Sequence, residues 1–291
     1  MGVKKILTDM DGVLVDSEDV AMRVMDDWGV AFIKRYQPDA QIEPDYIYKT
    51  YPGTSTDRIV AALMQEFDIA EELVRQDYNI ADADDVSIVL ADQVTLDTIA
   101  CFKQQLKIVP GAAEAYRALA QTYGAGNIGL ATTSRKDRMD ISLVHAVCPV
   151  TQQNAGLAAI FPEGERRRSG YDFKNKYDEA FGALGWNVAE TVVVEDSLSG
   201  VTKAKAGREA VMVVGTVAAR FYEDKPAQAQ ALIEAGADLV VDNIADLPQV
   251  VAWLDQGLNP LARPACQGAV FVPAAEAQAP VKKPALFKPG A

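Results

Sequence analysis

Lys5-Ile6-Leu7-Thr8-Asp9-Met10-Asp11-Gly12-Val13-Leu14-Val15-Asp16-Ser17 is the stretch that decides how the chain is read. Its apolar start, Ile6-Leu7, reads as the end of a buried strand with a carboxylate at the tip, a second carboxylate two residues on and a glycine directly after. Alternate side chains of a strand share a side, so Asp9 and Asp11 are expected to project into one small volume. Two like charges that close repel unless a cation or a proton lies between them. A hard divalent ion such as Mg²⁺, which takes oxygen ligands, answers that need. A bare Asp-X-Asp-Gly also occurs as an ordinary solvated turn, so the remaining sequence has to discriminate.

Beyond Ser17 the pattern turns helical, with Val20, Val24, Met25 and Trp28 at three- and four-residue steps and acids in the first turn. Helical segments continue to about Lys107, broken at Pro44 and at Pro52-Gly53, and read as an inserted α-helical unit. After Pro110-Gly111 the chain alternates. Apolar strands are expected at 127–132, near 157–161, and at 191–196, 211–214 and 239–241, with helices at 112–123, near 135–147, and at 178–184, 201–206, 226–235 and 247–254. Buried strands alternating with helices imply a doubly wound parallel sheet covered on both faces, an α/β fold. The expected organisation is a core of 1–16 and 108–254, a helical cap of 17–107, and a flexible proline- and alanine-rich tail of 255–291. Arg166-Arg167-Arg168 reads as a charge run solvated on a loop.

In open parallel sheets, ligands gather at the carboxyl ends of the strands. That rule brings Asp9 and Asp11, Thr132 to Ser134, and Glu195-Asp196 to one rim although they are far apart in sequence. A strand-tip carboxylate can attack phosphorus when a metal holds the phosphoryl oxygens, which suits Asp9 as nucleophile and Asp11 as the general acid and base. The Asp11 backbone carbonyl could also bind the metal beside Asp9, and Asp196 would complete the oxygen shell, with Glu195 beside it as an added charge or alternative ligand. Thr132, with the N–H groups of Thr133 and Ser134 at the start of the next helix, would bind phosphoryl oxygens. Lys174 and Lys176 are the candidates for the neutralising cation.

Composition narrows the partners. The 291 residues carry a formal net charge of −13, which argues against nucleic acid or an anionic membrane. A small anionic substrate held by local cations remains open. The start Met1-Gly2-Val3-Lys4-Lys5 lacks a signal-peptide core, and no apolar run approaches the ~18 residues of a membrane span. Cys101, Cys148 and Cys266 are widely spaced and suit reduced thiols in the cytoplasm, with no zinc-type pairing among them. The one histidine, His145, follows Leu143-Val144 in a helical stretch and reads as a packing or surface residue.

Asp9-Met10-Asp11-Gly12-Val13-Leu14-Val15-Asp16-Ser17, Ala131-Thr132-Thr133-Ser134-Arg135-Lys136 and Val194-Glu195-Asp196-Ser197-Leu198-Ser199-Gly200 resemble motifs one, two and four of the haloacid dehalogenase-like (HAD) superfamily. The resemblance spans about residues 3–254. It implies a Rossmann-like core, a helical cap after motif one, Mg²⁺ dependence and an aspartyl-phosphate intermediate. It places the nucleophile on Asp9, the acid/base on Asp11, the phosphate-binding hydroxyl on Thr132 and the metal carboxylate on Asp196. The motif-three lysine falls to Lys174, with Lys176 in reserve, because Tyr171 stands where relatives have it. The cap turn 51–58 resembles the family's specificity loop, which offers Arg58 to the substrate. Asp11 argues against dehalogenase and phosphonate-cleaving chemistry, and Ala21 stands where β-phosphoglucomutase-like members carry a histidine. The implied function is a Mg²⁺-dependent phosphatase acting on a small phosphorylated metabolite, a sugar phosphate or phosphoglycolate-like compound. A phosphomutase and a non-catalytic binding protein of the same fold are the alternatives.

Overall fold

In a computed structural model, residues 2–51, 54–164, 166–170 and 173–273 are described. In chain order the elements are β1 (Lys5–Thr8), α1 (Ser17–Tyr36), α2 (Tyr46–Thr50), α3 (Thr56–Glu66), α4 (Glu71–Tyr78), α5 (Val86–Gln105) and α6 (Ala112–Tyr123). They continue as β2 (Ile128–Thr132), α7 (Lys136–His145), α8 (Leu157–Ile160), β3 (Arg167–Ser169), α9 (Lys176–Leu184) and β4 (Thr191–Glu195). The chain then runs through α10 (Leu198–Lys205), β5 (Met212–Thr216), α11 (Lys225–Glu234), β6 (Leu239–Val241), α12 (Leu247–Asp255) and β7 (Val270–Phe271).

The strands form one seven-stranded sheet in the order β3-β2-β1-β4-β5-β6-β7. The pairings from β3 through β6 are parallel, and β7 joins antiparallel at the edge. β1 lies between β2 and β4, and the strand order reverses direction around it, which opens the crevice where ligands bind in such sheets. β2 and β4 are buried along their whole length, as strands covered by helices on both faces must be. One apolar layer packs Ile6, Ile128, Val192 and Val214 against α6 and α12, and the other packs Leu7, Val193 and Val213 against α9, α10 and α11.

The helices α1 to α5 carry a core of their own, built on Met25, Phe32, Ile47, Ile59, Leu63, Leu90 and Val94. Trp28 and Phe32, four apart on α1, stack with ring centroids 4.8 Å apart, as i,i+4 neighbours on a helix face can. The chain passes between the two parts at Val15-Asp16 and again at Lys107-Ile108. These crossings hydrogen-bond to each other: Asp16 N–H donates to the Lys107 carbonyl at 2.9 Å and Val109 N–H to the Leu14 carbonyl at 3.0 Å. Pro44 lies between α1 and α2, whereas Pro52 and Gly53 lie outside the described residues.

Three stretches fold differently from the sequence expectation. The apolar run 157–161 forms the short helix α8 rather than a strand, led in by Gly156 at φ +70°; a run that short carries no periodicity to tell helix from strand. The arginine run leads into edge strand β3 and is not a solvated loop: Arg166 precedes the strand, and Arg167 and Arg168 open it. Arg167 pairs with Asp140 at 3.0 Å and donates to the Phe161 carbonyl, and charges on an edge strand protect it from further pairing. The segment after Asp255 also returns to the core as far as Pro273. Asp246, 1% exposed, accepts from Gln267 N–H at 2.9 Å and Gly268 N–H at 2.8 Å, and β7 then extends the sheet. Residues 274–291 of the expected tail lie outside the described residues.

Candidate active site

Asp9 follows β1 directly and is anchored there by its N–H, which donates to the Val194 carbonyl at 2.9 Å. Its carboxylate reaches a small cavity of about 200 Å³ at the carboxyl rim of the sheet, walled by Asp9, Asp11, Thr132, Thr133, Lys176 and Asp196 among others. Thr132 ends β2, buried, and its Oγ1 accepts the Ser134 N–H at 3.1 Å, which turns the chain toward α7. Thr133 is exposed at the cavity mouth. Carboxylate oxygens of Asp9, Glu195 and Asp196 lie within 4.8 Å of one another, and all three residues are buried.

The cation among them is Lys176. Its Nζ stands 2.8 Å from Asp9 Oδ1 and 2.7 Å from Glu195 Oε1. This corrects the choice of Lys174, which is exposed and does not line the cavity. The Asn175 side chain caps α9 by accepting from Tyr177 N–H, so the helix starts at Lys176 and turns Lys176, Tyr177, Ala180 and Phe181 inward together. That four-residue stripe was the available sequence signal, since a lysine at the head of an apolar stripe must find a buried partner. Arg58, expected at the substrate, stands apart from this cavity. It is exposed on α3, whose inward face is Ile59, Val60 and Leu63, and it lines neither this cavity nor the adjoining one.

Glu195 is fully engaged. Oε1 faces Lys176 and accepts the Tyr177 hydroxyl at 2.9 Å, while Oε2 accepts the N–H groups of Asp196 and Ser197, both at 2.9 Å. With both oxygens committed, it is placed to fix Lys176 rather than to act as a free ligand. A Cβ on Gly200, the third residue of α10, would fall 1.8 Å from Glu195 Oε1, so the first turn of the helix passes Glu195 because a glycine stands there. Asp196 accepts the Tyr222 hydroxyl on Oδ2 at 2.9 Å. Gly12, at φ +73°, gives it room, since a Cβ there would lie 1.8 Å from the same oxygen.

Asp11 shares the cavity wall but points elsewhere. Its Oδ1 accepts from Ser17 Oγ and, at 3.0 Å, from Arg138; its Oδ2 accepts from Ser134 Oγ at 2.7 Å. Its carboxylate is not part of the three-acid group that could hold an ion, which leaves the backbone carbonyl as the atom Asp11 could offer a metal. Arg138 and Tyr222 escaped the sequence reading. Arg138 lies one helical turn after Ser134, a spacing that could have suggested a shared face; nothing in the sequence marked Tyr222.

The electrostatics follow from burial and neighbours. Burial, with Glu195 and Asp11 nearby, pushes Asp9 up to about 7 despite Lys176. Burial, Glu195 and Asp9 push Asp196 well above the usual carboxylate range. Burial alone would raise Glu195 and Asp11 as well, but Lys176 with its hydrogen bonds holds Glu195 low, and Arg138, Ser17 and Ser134 hold Asp11 low. Three buried acids therefore share one ammonium, and the excess negative charge falls on Asp9 and Asp196. Asp9 Oδ1, although beside Lys176, accepts no well-directed hydrogen bond among the described residues. An all-oxygen donor set with uncompensated charge and an open lone pair fits a hard divalent cation, and Mg²⁺ is such an ion.

A protein-family model for haloacid dehalogenase-like hydrolases matches residues 3–208. The chain belongs to that family. Members of known structure share the fold. A conserved haloacid dehalogenase-like protein from Agrobacterium tumefaciens is 23% identical, with a TM-score of 0.61 over 87% of this chain and 99% of its own. A HAD family hydrolase from Deinococcus radiodurans, solved with bound phosphate and sodium, is 22% identical with a TM-score of 0.56, covering 88% and 97% of the two chains. A mutant of CbbY from Rhodobacter sphaeroides, in complex with xylulose-(1,5)bisphosphate, is 19% identical with a TM-score of 0.55, covering 84% and 96%. No curated protein in the comparison matches this HAD-like chain. Among its described residues, no helix is long and apolar enough to cross a membrane.

Proposed function

We propose that this HAD-like protein is a cytoplasmic phosphoric monoester hydrolase that acts on a small phosphorylated metabolite through an aspartyl-phosphate on Asp9. The observation that carries the reading is the placing of Asp9 at an open cavity with Lys176 at 2.8 Å and Asp196 in the same acid group. A nucleophilic carboxylate needs its charge masked before it can approach a phosphoryl group, and these neighbours supply the means. Asp9 and Asp196 would hold Mg²⁺, which supplies charge neutralisation for the phosphoryl oxygens.

The rest of the chemistry belongs to the chain's own residues. Asp9 attacks phosphorus, Lys176 balances the charge developing on the phosphoryl oxygens, and the Thr132 hydroxyl with the N–H groups leading into α7 orients them. Asp11 delivers a proton to the leaving oxygen and then takes one from the water that attacks the phosphoenzyme, which returns Asp9 as a carboxylate. The helical cap closes over the substrate and excludes bulk water, and the adjoining cavity beneath it selects the organic part. Ala21 lines that cavity. Without an imidazole there, nothing at this position favours returning the phosphoryl group to a sugar over passing it to water.

Asp9→Asn keeps the volume and removes the nucleophile. It should abolish Mg²⁺-dependent hydrolysis of p-nitrophenyl phosphate and leave the thermal midpoint no lower, because an uncompensated buried charge has gone. Undiminished turnover in that variant would rule out the mechanism. Phosphate release without any bisphosphate activator separates the hydrolase from a mutase.

A further inference from the structure

The adjoining cavity, about 680 Å³, lies between the cap and α7 and shares Glu18 and Thr133 with the catalytic cavity. Among the described residues its cations are Arg135 and Arg138. Arg135 is already spent on Asp92 at 3.4 Å and Asp137 at 3.1 Å. Among the described residues Arg138 has one acidic partner, Asp11, which it meets through a single nitrogen at 3.0 Å, and the same nitrogen lies 3.5 Å from Ser17 Oγ. Its Nε is buried without a partner among the described residues. The guanidinium rests over the Phe102 ring, 5.1 Å from the centroid, and Phe102 is fully buried at the end of the long cap helix α5.

This arrangement is an incomplete match for a guanidinium. Arginine presents a planar fork that pairs bidentately with oxyanions, and here most of that fork is unused while one prong ties down Asp11. Meanwhile three donors hold Asp11: Ser17 and Arg138 on Oδ1 and Ser134 on Oδ2. In that pose the carboxylate is held toward Ser17, Ser134 and Arg138, and one acceptor site on Oδ2 stays open.

We propose that Arg138, which lines the adjoining cavity, is a positioning residue that tethers the Asp11 carboxylate of the catalytic cavity, and that an oxyanion group of the substrate entering the adjoining cavity draws the guanidinium away and frees Asp11. The inference rests on the reading of Asp11 as the acid/base. Phe102 fixes the plane of the guanidinium, so the fork swings toward the cavity without losing its aromatic support. The acids Glu18 and Asp57 on the same wall discourage a loosely held anion, and capture therefore depends on the bidentate pairing that Arg138 offers. The substrate class this selects carries a second oxyanion, phosphate or carboxylate, beside the phosphate that is cleaved. A compound with a single phosphate and no second anion finds Asp11 still tethered.

Phosphite dianion is the probe, added to p-nitrophenyl phosphate hydrolysis by wild type, Arg138→Met and Arg138→Lys with Mg²⁺ present. Phosphite should raise wild-type kcat several-fold with little change in KM. Arg138→Met should start from a higher basal kcat and gain nothing from phosphite, and Arg138→Lys should retain part of the response. Equal stimulation of wild type and Arg138→Met, or a basal kcat in Arg138→Met at or below wild type, overturns the proposal. Calorimetric titration of phosphite is run alongside, independent of turnover. If wild type shows no hydrolysis, the reading of the catalytic site has failed; phosphite binding that Arg138→Met weakens tenfold or more still supports Arg138 as the oxyanion receptor, and binding unchanged by the substitution refutes it.

Discussion

Lys176→Met is the substitution that reaches furthest into the account. The lysine, Asp9 and Glu195 side chains are 6%, 10% and 0% exposed, so solvent screening does little for the ion pairs. Methionine fills nearly the same volume without the charge, which removes packing as a competing cause. Breaking a buried pair by deleting one partner costs about 3–5 kcal/mol, because the remaining charge is left uncompensated. For a chain of this size each kcal/mol moves the midpoint by roughly 2–4 °C, which sets the expected loss on the order of 10 °C in the presence of EDTA. Asp9 and Glu195 can escape part of this by taking up protons. Without the ammonium the folded state binds protons that the unfolded chain releases, so the deficit should grow from pH 6 to pH 8. Mg²⁺ should recover part of the stability. It should not recover activity, since loss of a preorganised charge at the transferring group costs about 10²–10³ in kcat. The assays are thermal melts in EDTA and in Mg²⁺ at two pH values, with p-nitrophenyl phosphate turnover beside them. Lys174→Met, on an exposed side chain, is the control and should match wild type in both. Near-normal turnover in Lys176→Met, or a loss in Lys174→Met, would refute the assignment of the cation.

Other consequences can be checked on the same protein. Gly12→Ala puts a Cβ 1.8 Å from Asp196 Oδ2 at a backbone φ of +73°; it should cost about 1–2 kcal/mol in backbone strain and weaken Mg²⁺ binding roughly 10–100-fold by displacing a ligand, and unchanged calorimetric affinity would contradict that. Asp9 and Asp196 are raised in the fold, so between the unfolded carboxylate range and about 7 the folded state holds the extra protons. Metal-free protein should therefore lose stability as pH rises from about 4 to about 7, whereas the gain from Mg²⁺ should increase over that span; a Mg²⁺ gain that shrinks with pH would invert the sign. Asp246→Ala strips the acceptor from the N–H groups of Gln267 and Gly268. It should cost about 1–3 kcal/mol and open the segment after Asn259 to limited proteolysis, and an unchanged digestion pattern would show that the segment is held by other contacts.

The sheet was legible because its strands are apolar throughout and alternate with helices, a pattern that packing on both faces imposes on sequence. The rim followed from one topological rule, which brought Asp9, Thr132 and Asp196 around one cavity although β1, β2 and β4 are far apart along the chain. What the sequence marked only through a short stripe, Lys176, Tyr177, Ala180 and Phe181, was the choice between residues a step or two apart. Lys174 and Lys176 differ by two positions, and only the Asn175 cap decides which of them enters the helix facing inward. Asp11 shows the same limit from the other side. Its position near Asp9 is written in the local spacing, but its direction is set by Ser134 and Arg138, which arrive from α7 and the turn before it. The stretch from Asn259 to Pro273 looked like linker by composition, yet two backbone N–H groups on a buried aspartate and one short strand were enough to dock it. Docking of that kind leaves no periodic trace in the sequence.

In the proposed reaction the phosphoryl group passes through the Asp9 carboxylate. The most direct test quenches the protein during turnover of p-nitrophenyl phosphate with Mg²⁺, reduces the quenched sample with borohydride and maps the peptides by mass. An acyl phosphate at Asp9 is reduced to homoserine at that position, and the account predicts this product there and at no other carboxylate. Homoserine at another acidic residue, or sustained phosphate release with residue 9 unmodified under conditions that trap acyl phosphates in a control protein, would contradict it.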